Sequence, residues 1–225
     1  MSQLPVCVSR VPIFAGLTPV EQREVHDVAR PRRLPDGETV YVEGDRVASL
    51  LVVNSGRLRL TRSSPDGGEH LLRVLDAGDF IGVESFLTGA TPGHTATAMG
   101  ATVLCEFRHA DLQPLLDAHP GVGVAMLATL ATQLSRTEER LTAQTLAPVE
   151  RRLVGYLLDL PAQPHAEGLL IELPLSKKDI ASYLGTTPES LSRSLRALAD
   201  AGLVESRGKR ELLVRDAAAL DDLVR

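Results

Sequence analysis

Tryptophan is absent from the 225-residue sequence, and aromatic residues make up only 3% of it. A hydrophobic core must therefore be built mainly from leucine, valine and alanine. No apolar run approaches the roughly 20 residues that a membrane-spanning helix needs. The first residues lack the long apolar stretch and the cleavage site of a signal peptide. These absences predict a cytoplasmic protein with no membrane partner.

Cysteine is also scarce. Cys7 and Cys105 are the only two, which is too few for the disulfide framework of a small secreted domain. The sequence contains none of the G-x-S-x-G, H-E-x-x-H, P-loop or Rossmann motifs that mark common classes of enzyme. We therefore expect no catalytic residues, no metal site and no enzymatic activity.

Basic residues are concentrated in one segment of an otherwise acidic chain. Residues 176–210 contain seven lysines and arginines against four aspartates and glutamates, a net charge of +3. The whole chain has a net charge of −5, so the remaining residues have −8. This distribution suits one face that contacts an anionic partner, although a solvated surface would give the same pattern.

Turn signals divide residues 34–108 into short segments. The turns are PDGE at 35–38, EGD at 43–45, NSG at 54–56, PDGG at 65–68 and AGD at 77–79. Between them lie runs rich in strand-forming residues, namely TVYV, LLVV, RLRLT, HLLRVL and TVLCEF. Short strands separated by turns about every ten residues are typical of an antiparallel β-sandwich or roll.

The pattern changes to helical after Ala110. A short helix is predicted at 111–118 and a longer one at 121–145. The longer helix has a leucine seam with steps of three and four residues, in which Thr137 fills one position: Leu127, Leu130, Leu134 and Leu141. So narrow a seam indicates pairing with a second copy of the helix, and the alternative is packing against its own domain.

A second domain is predicted after Ala147-Pro148, where proline breaks the helix. Residues 150–160 form an amphipathic helix and 168–175 resemble a strand. Ser176 can cap a helix that Gly185 ends, and a further helix follows Thr187 and ends near Gly202. Two short strands, LVES and ELLV, then flank an RGKR turn. This order is that of a winged helix-turn-helix.

These segments resemble the CRP/FNR family of bacterial transcription regulators over nearly the whole chain. PDGETVYVEGD, LLVVNSGRLRLT and AGDFIG are similar to its β-roll, and LSKKDIASYLGTTPESLSRSLRAL is similar to its helix-turn-helix. The resemblance implies an α+β protein with an antiparallel β-roll of the cyclic-nucleotide-binding, jelly-roll type at 1–120, a dimerisation helix at 121–146 and a winged helix-turn-helix at 147–225. It also implies a homodimer that binds two-fold-related half-sites in double-stranded DNA and contacts RNA polymerase.

Glu189 lies at the start of the expected recognition helix, although phosphates repel a carboxylate. It can instead accept a hydrogen bond from cytosine N4, while Arg193 on the same face can bond guanine. Glu189, Ser192 and Arg193 match the base-reading pattern of the FNR branch, which implies a site close to TTGAT–N4–ATCAA. The alternative for Glu189 is stabilisation of the helix dipole. The residues expected to contact phosphates are Ser176, Lys177, Thr187, Ser190, Arg196 and Lys209.

The resemblance leaves the signal open. In the cAMP-binding branch an arginine binds the cyclic phosphate. The matching region of this chain has no arginine or lysine between Val74 and Phe107. We therefore expect no cAMP binding, because His94 is the only basic residue there and a loop histidine is more often solvated than a ligand. A different small molecule or a haem remains an alternative, as does a cyclic-nucleotide-type sensor module for protein assembly.

The two cysteines fall at positions that match iron–sulfur ligands in the FNR branch. Cys105 matches the ligand that precedes the dimerisation helix, and Cys7 lies where the N-terminal ligand group ends. Two of the four ligands are missing, which excludes a four-cysteine cluster within one chain. Strand alternation turns Cys105 inward, and the pair could form a disulfide under oxidation. The alternatives are two unrelated apolar residues, or a metal or cluster shared between subunits.

Overall fold

A computed structural model describes residues 8, 11–63, 69–208 and 210–224, and the backbone alone at 143–146. Contacts divide the chain into two compact units, Met1–Leu134 and Ser135–Arg225. The division falls within one long helix.

The first unit is built on an antiparallel sheet of six strands. The sheet has the order β1-β6-β3-β4, with β2 on β6 and β5 on β3. The elements, after a turn of 3-10 helix at Pro12–Phe14, are α1 Pro19–Val28, β1 Arg30–Leu34, β2 Thr39–Tyr41, β3 Ser49–Ser63, β4 Glu69–Leu75, β5 Phe80–Ile81, α2 Val83–Thr88, β6 Thr95–Arg108, α3 His109–Ala118 and α4 Pro120–Leu146. The predicted β-roll followed by a long helix is confirmed.

The NSG sequence does not form the predicted turn. Residues 54–56 lie inside β3, which merges the expected LLVV and RLRLT strands and pairs along its length with β6. Its register on β6 shifts between Val53 and Ser55 and again between Ser55 and Arg57. Gly56 has φ +81, and a Cβ there would lie 2.5 Å from Thr102 Oγ1. A turn signal and a β-bulge both use glycine at positive φ, so sequence alone does not separate them.

Alternate residues of β3 pack into two different cores. Leu51 and Val53 belong to a cluster inside the roll, which also contains Leu104. Leu50 and Val52 face a second cluster between the sheet and the helices, whose other members include Val8, Phe14, Cys105, Phe107, Leu112 and Met126. The sheet is therefore buried on both faces, and aliphatic side chains supply most of both cores.

The helices of this unit begin where the sequence supplies caps or proline. Thr18 and Glu21 form a reciprocal capping box at the start of α1. The helix predicted at 111–118 begins two residues earlier, at His109. Among the described residues no single helix is long and apolar enough to span a membrane. Helix α3 and Pro120–Thr142 of α4 reach that length only as a pair, bent by 111°.

The second unit has the predicted order of helix, strand, two helices and hairpin, with two additional elements. Its elements are α5 Val149–Leu158, β7 Ala162–His165, β8 Gly168–Glu172, α6 Lys177–Tyr183, α7 Pro188–Asp200, β9 Val204–Ser206, β10 Glu211–Val214 and α8 Ala217–Asp222. The strands form one antiparallel sheet in the order β7-β8-β10-β9. Strand β7 and helix α8 were not expected, because β7 is fully exposed and contains proline, and α8 is only six residues long.

Candidate nucleic-acid interface and sensor residues

Helices α6 and α7 are joined by a short turn. Ser176 caps α6, since its Oγ accepts the Asp179 N–H at 3.1 Å and donates to Asp179 Oδ2 at 2.6 Å. Gly185 follows α6 at φ +63, and its N–H donates to the Ser182 carbonyl at 3.0 Å. This left-handed glycine ends α6 and allows the chain to turn into α7.

Helix α7 presents opposite faces to the core and to solvent. Leu191 and Leu198 are 0% and 1% exposed, which anchors the helix. The outer face has exposed side chains at intervals of three, four and seven residues, namely Glu189, Ser192, Arg193 and Arg196. Seven residues of helix rise about 10 Å, which is close to three base-pair steps. The structure thus brings the three predicted base-reading residues together on one exposed face.

Glu189 lies in the first turn of α7 and is exposed. Within the described part of the chain no hydrogen bond or ion pair involves its carboxylate. The carboxylate is thus available to a donor from outside the chain, and it lies where the helix dipole also stabilises a negative charge.

The hydroxyl groups expected to contact phosphates also hold the helix ends. Ser176 caps α6, and Thr187 caps α7 by accepting the Ser190 N–H at 3.2 Å. The Ser190 hydroxyl accepts a hydrogen bond from Arg193 at 3.0 Å. Lys177 and Arg196 are exposed, whereas Lys209 lies outside the described residues.

The hairpin β9–β10 has less free positive charge than its sequence suggests. Arg207 Nε lies 2.8 Å from Glu205 Oε1, and Arg207 also pairs with Glu167. Glu205 pairs with Arg215 as well. The hydrogen bond from Arg215 is the main reason that the pKa of Glu205 is lowered, and the Arg207 charge adds to it. Most of the charge on Arg207 is therefore balanced within the protein.

Arg152 on α5 joins two segments of the second unit, and the sequence did not predict this role. Its Nη1 donates to the Ala147 carbonyl at 3.0 Å and its Nη2 to the Gly185 carbonyl at 3.4 Å. It therefore ties the segment that follows α4 to the turn between α6 and α7. No local motif indicates this role, because Gly185 is 33 residues away in sequence.

The seam of α4 is exposed at four apolar positions. Leu127, Leu134 and Leu141 are 65%, 60% and 64% exposed, and Val124, which was not predicted, is 66% exposed. Leu130 differs, because it is half-buried and packs against the core of its own chain. The exposed apolar surface is thus centred on Leu127 and Leu134.

The interior of the first unit contains a polar pair beside its apolar core. Tyr41 Oη and His94 Nε2 lie 2.7 Å apart. Burial is the main cause of a lowered pKa for His94 and of a raised pKa for Tyr41. His94, expected to be solvated, is thus partly buried, and its surroundings favour the neutral imidazole.

Arg73 supplies a cation that sequence analysis missed, because it immediately precedes the segment from Val74 to Phe107. Its Nη1 donates to Gln133 Oε1 at 2.7 Å, and Gln133 Nε2 donates to Asp79 Oδ1 at 3.3 Å. These bonds link β4 and the turn before β5 to α4.

Cys105 is buried, with only 1% of its surface exposed. Together with Phe107 it lies in the cluster that contains Val8, as the strand alternation predicts. Cys7 lies outside the described residues, so the structure gives no distance between the two sulfur atoms.

Two family models match the chain. The model for a Crp-like helix-turn-helix domain matches residues 151–223, and that for a cyclic nucleotide-binding domain matches residues 31–119. The first covers the segment with α6 and α7, and the second covers the β-roll.

Similar proteins cover nearly the whole chain. The probable transcriptional regulator flp of Lacticaseibacillus casei is 31% identical over 96% of this chain and 97% of its own length. The cyclic AMP receptor protein of Thermus thermophilus is 30% identical over 94% and 96%. The transcriptional activator protein FnrA of Stutzerimonas stutzeri is 29% identical over 86% and 80%.

Solved structures share the fold. A mutant of CooA from Carboxydothermus hydrogenoformans superposes with a TM-score of 0.79 at 22% identity, covering 90% of each chain. The c-di-GMP responsive global regulator CLP of Xanthomonas campestris gives 0.77 at 24% identity, covering 88% of this chain and 99% of its own.

Proposed function

The chain belongs to the CRP/FNR family of DNA-binding transcription regulators, and from this premise we propose that it acts as a homodimer on an FNR-type palindrome. The site is TTGAT–N4–ATCAA or close to it, and Glu189, Ser192 and Arg193 contact its bases. Two recognition helices related by two-fold symmetry require half-sites about 34 Å apart. Bound at such a site, the dimer contacts RNA polymerase.

The observation that supports this proposal is the exposed row on α7. Glu189 and Arg193 are one helical turn apart, and both are exposed. A carboxylate and a guanidinium at this spacing can accept from cytosine N4 and donate to guanine O6 and N7. Ser192 lies beside them and can bond either type of base.

Duplex binding at two salt concentrations tests the proposal. A labelled TTGAT–N4–ATCAA duplex and one with the G·C pair of each half-site replaced by A·T are titrated with protein. We expect a nanomolar-scale Kd for the first duplex, weaker binding to the second, and a loss of affinity as salt rises. Equal affinity for the two duplexes contradicts the assigned site, and no binding at either salt concentration favours a module for protein assembly.

Dimerisation is proposed through the exposed α4 seam. Three leucines spaced by seven residues and more than half exposed form the stripe that a coiled coil buries. Leu130 packs on the core of its own chain and borders this stripe, so that a single side chain can contribute to both surfaces.

Redox control is proposed through Cys7 and Cys105. Its support is the placement of Cys105 in the same cluster as Val8, the residue next to Cys7. Thiols are counted by intact mass on oxidised protein, and DNA affinity is compared for wild type and Cys7→Ser. Two reactive thiols after mild oxidation, or the same affinity in both redox states, would contradict a switch.

A small-molecule effector other than cAMP is the second candidate signal. Burial lowers the pKa of His94 and so disfavours the charged imidazole that would have to compensate a cyclic phosphate. The guanidinium of Arg73 keeps its charge but is used to link β4 to α4 through Gln133. Calorimetric titration with cAMP should show no binding, and micromolar or tighter binding would contradict this expectation.

A further inference from the structure

The first turn of α7 contains a short chain of hydrogen bonds that ends at a base-reading residue. The Thr187 hydroxyl donates to Ser190 Oγ at 3.2 Å. Arg193 Nη2 donates to the same oxygen at 3.0 Å. Ser190 is half-buried while Arg193 is exposed, so the more constrained side chain holds the freer one.

This arrangement sets the direction of the Arg193 side chain. A residue in an α-helix lies beside the one three positions earlier, and long side chains lean toward the helix N-terminus. The bond to Ser190 fixes that lean. Arginine has five N–H donors, so four remain for a guanine after one is given to Ser190.

We propose that Ser190 is a positioning residue that orients Arg193 before DNA binds and thereby contributes to base discrimination. This inference rests on the proposed function. It differs from a phosphate contact by Ser190, which holds the protein on any sequence. The two roles are compatible, because Ser190 Oγ accepts both intramolecular bonds and leaves its own proton for a phosphate.

Pre-orientation favours the correct base over the wrong one. An unrestrained arginine loses rotamer freedom when it binds, whereas a restrained one has lost part of it already. The saving in entropy is realised only with a guanine whose O6 and N7 match the orientation in which the Arg193 guanidinium is held. From the usual entropy of ordering such a side chain we expect about a two- to tenfold effect per subunit.

Replacing Ser190 by alanine removes the two side-chain hydrogen bonds that its hydroxyl accepts, from Thr187 and from Arg193. The cap of α7 survives, because Thr187 Oγ1 accepts the backbone N–H of residue 190 at 3.2 Å. The adjacent Leu191, which is 0% exposed, is unchanged. Ser190→Ala should therefore unfold at the wild-type temperature, and thermal melting verifies this.

The experiment is a double-mutant cycle on two duplexes. Ser190→Ala, Arg193→Ala and the double variant are titrated with the TTGAT–N4–ATCAA duplex and with the duplex whose G·C pairs are replaced. Ser190→Thr keeps a hydroxyl and serves as the conservative variant. Ser194→Ala removes a half-buried serine one turn farther along the same helix and serves as the matched control.

We expect Ser190→Ala to lose about two- to tenfold of the preference between the duplexes per subunit. In the Arg193→Ala background the same change should have no further effect on preference. Ser190→Thr and Ser194→Ala should keep the wild-type preference.

Equal weakening on both duplexes would leave Ser190 as a phosphate contact alone and overturn the inference. So would an unchanged preference in Ser190→Ala, or a loss that persists when Arg193 is absent. In those cases the wild-type preference still stands. A wild type without any preference would overturn the proposed function together with this inference.

Discussion

Under the proposed function, Glu189 places a negative charge where α7 contacts DNA, which is a polyanion. In the proposed complex this charge weakens binding to every sequence through repulsion from phosphates, so any benefit has to come from selecting one base pair. Affinity and selectivity are therefore opposed at this single residue. Arg196, which is exposed on the same face, should contribute affinity without that opposition.

Replacing Glu189 by alanine should relax selection at the G·C pair by roughly 1–3 kcal/mol. Affinity for unrelated DNA should rise at the same time, because one repulsive charge is lost. Ranking half-site variants for both proteins measures this. Asp200→Ala removes an exposed carboxylate at the far end of the same helix and should leave the ranking unchanged, and an identical ranking for Glu189→Ala and wild type would contradict the base contact.

Residues on one helix face could be predicted from sequence, because their spacing is local. The period of the helix predicts that Glu189, Ser192 and Arg193 share one face, whereas their base-reading role is implied by the resemblance to the FNR branch. The bond between Arg193 and Ser190 depends on side-chain rotamers, and that between Arg152 and Gly185 joins residues 33 apart. Neither leaves a pattern in the sequence. Arg73 was missed because the search for a cation covered only the segment from Val74 to Phe107. The contacts of Arg73 are decided by where its side chain lies on β4, which the sequence segment does not show.

Strand β3 shows the same limit at the level of an element. Its alternating residues identified a strand correctly, but Gly56 indicated a turn where the chain continues with a bulge. The difference is decided by pairing with β6, since Thr102 Oγ1 also accepts the Arg57 N–H at 3.2 Å. Long-range pairing of this kind is absent from the local sequence.

Gly56→Ala should destabilise the first unit by more than about 3 kcal/mol, because it adds a backbone clash to the strain of a positive φ. Gly100→Ala is the matched variant, since Gly100 has φ +73 but nothing within 4 Å of the Cβ that alanine would add. It should cost only about 1–2 kcal/mol. Denaturant unfolding of both variants gives the two values. Equal losses would show that strain alone, and not the contact with Thr102, restricts position 56.

The exposed seam of α4 leads to a prediction about dimerisation. Leu134→Glu should give monomers, because dimerisation would bury an unpaired charge at a cost of several kcal/mol. Light scattering measures the mass, and the variant should also lose specific DNA binding. Thr132→Glu introduces the same charge at an exposed position off the seam and should remain dimeric. A dimeric Leu134→Glu would place the subunit contact elsewhere.

For the molecule as a whole, the charge is divided between an acidic majority and a basic segment at 176–210. DNA binding should therefore depend on a few local cations in spite of the net charge of −5. Only positive charge that is not already balanced by carboxylates is available to DNA phosphates. Exposed Lys177 and Arg196 should therefore contribute more to DNA binding than Arg207.

Lys177→Gln should lower the slope of log affinity against log salt by about one for each DNA phosphate that the lysine no longer neutralises. Arg207→Gln should lower it less, because Glu205 and Glu167 already balance that guanidinium. Titrations at four or more salt concentrations give the slopes. The assignment fails if the two variants change the slope equally.

The division of the chain inside α4 also restricts how such a protein can change during evolution. Leu134 belongs to one unit and Ser135 to the other, so an input domain exchanged at this boundary is joined within a continuous helix. Each inserted or deleted residue turns everything beyond it by about 100°. Leu141 then leaves the line of Leu127 and Leu134 unless the change in length is close to a whole heptad. Recombination between relatives should therefore give functional proteins mainly when the helix changes in length by a multiple of seven residues.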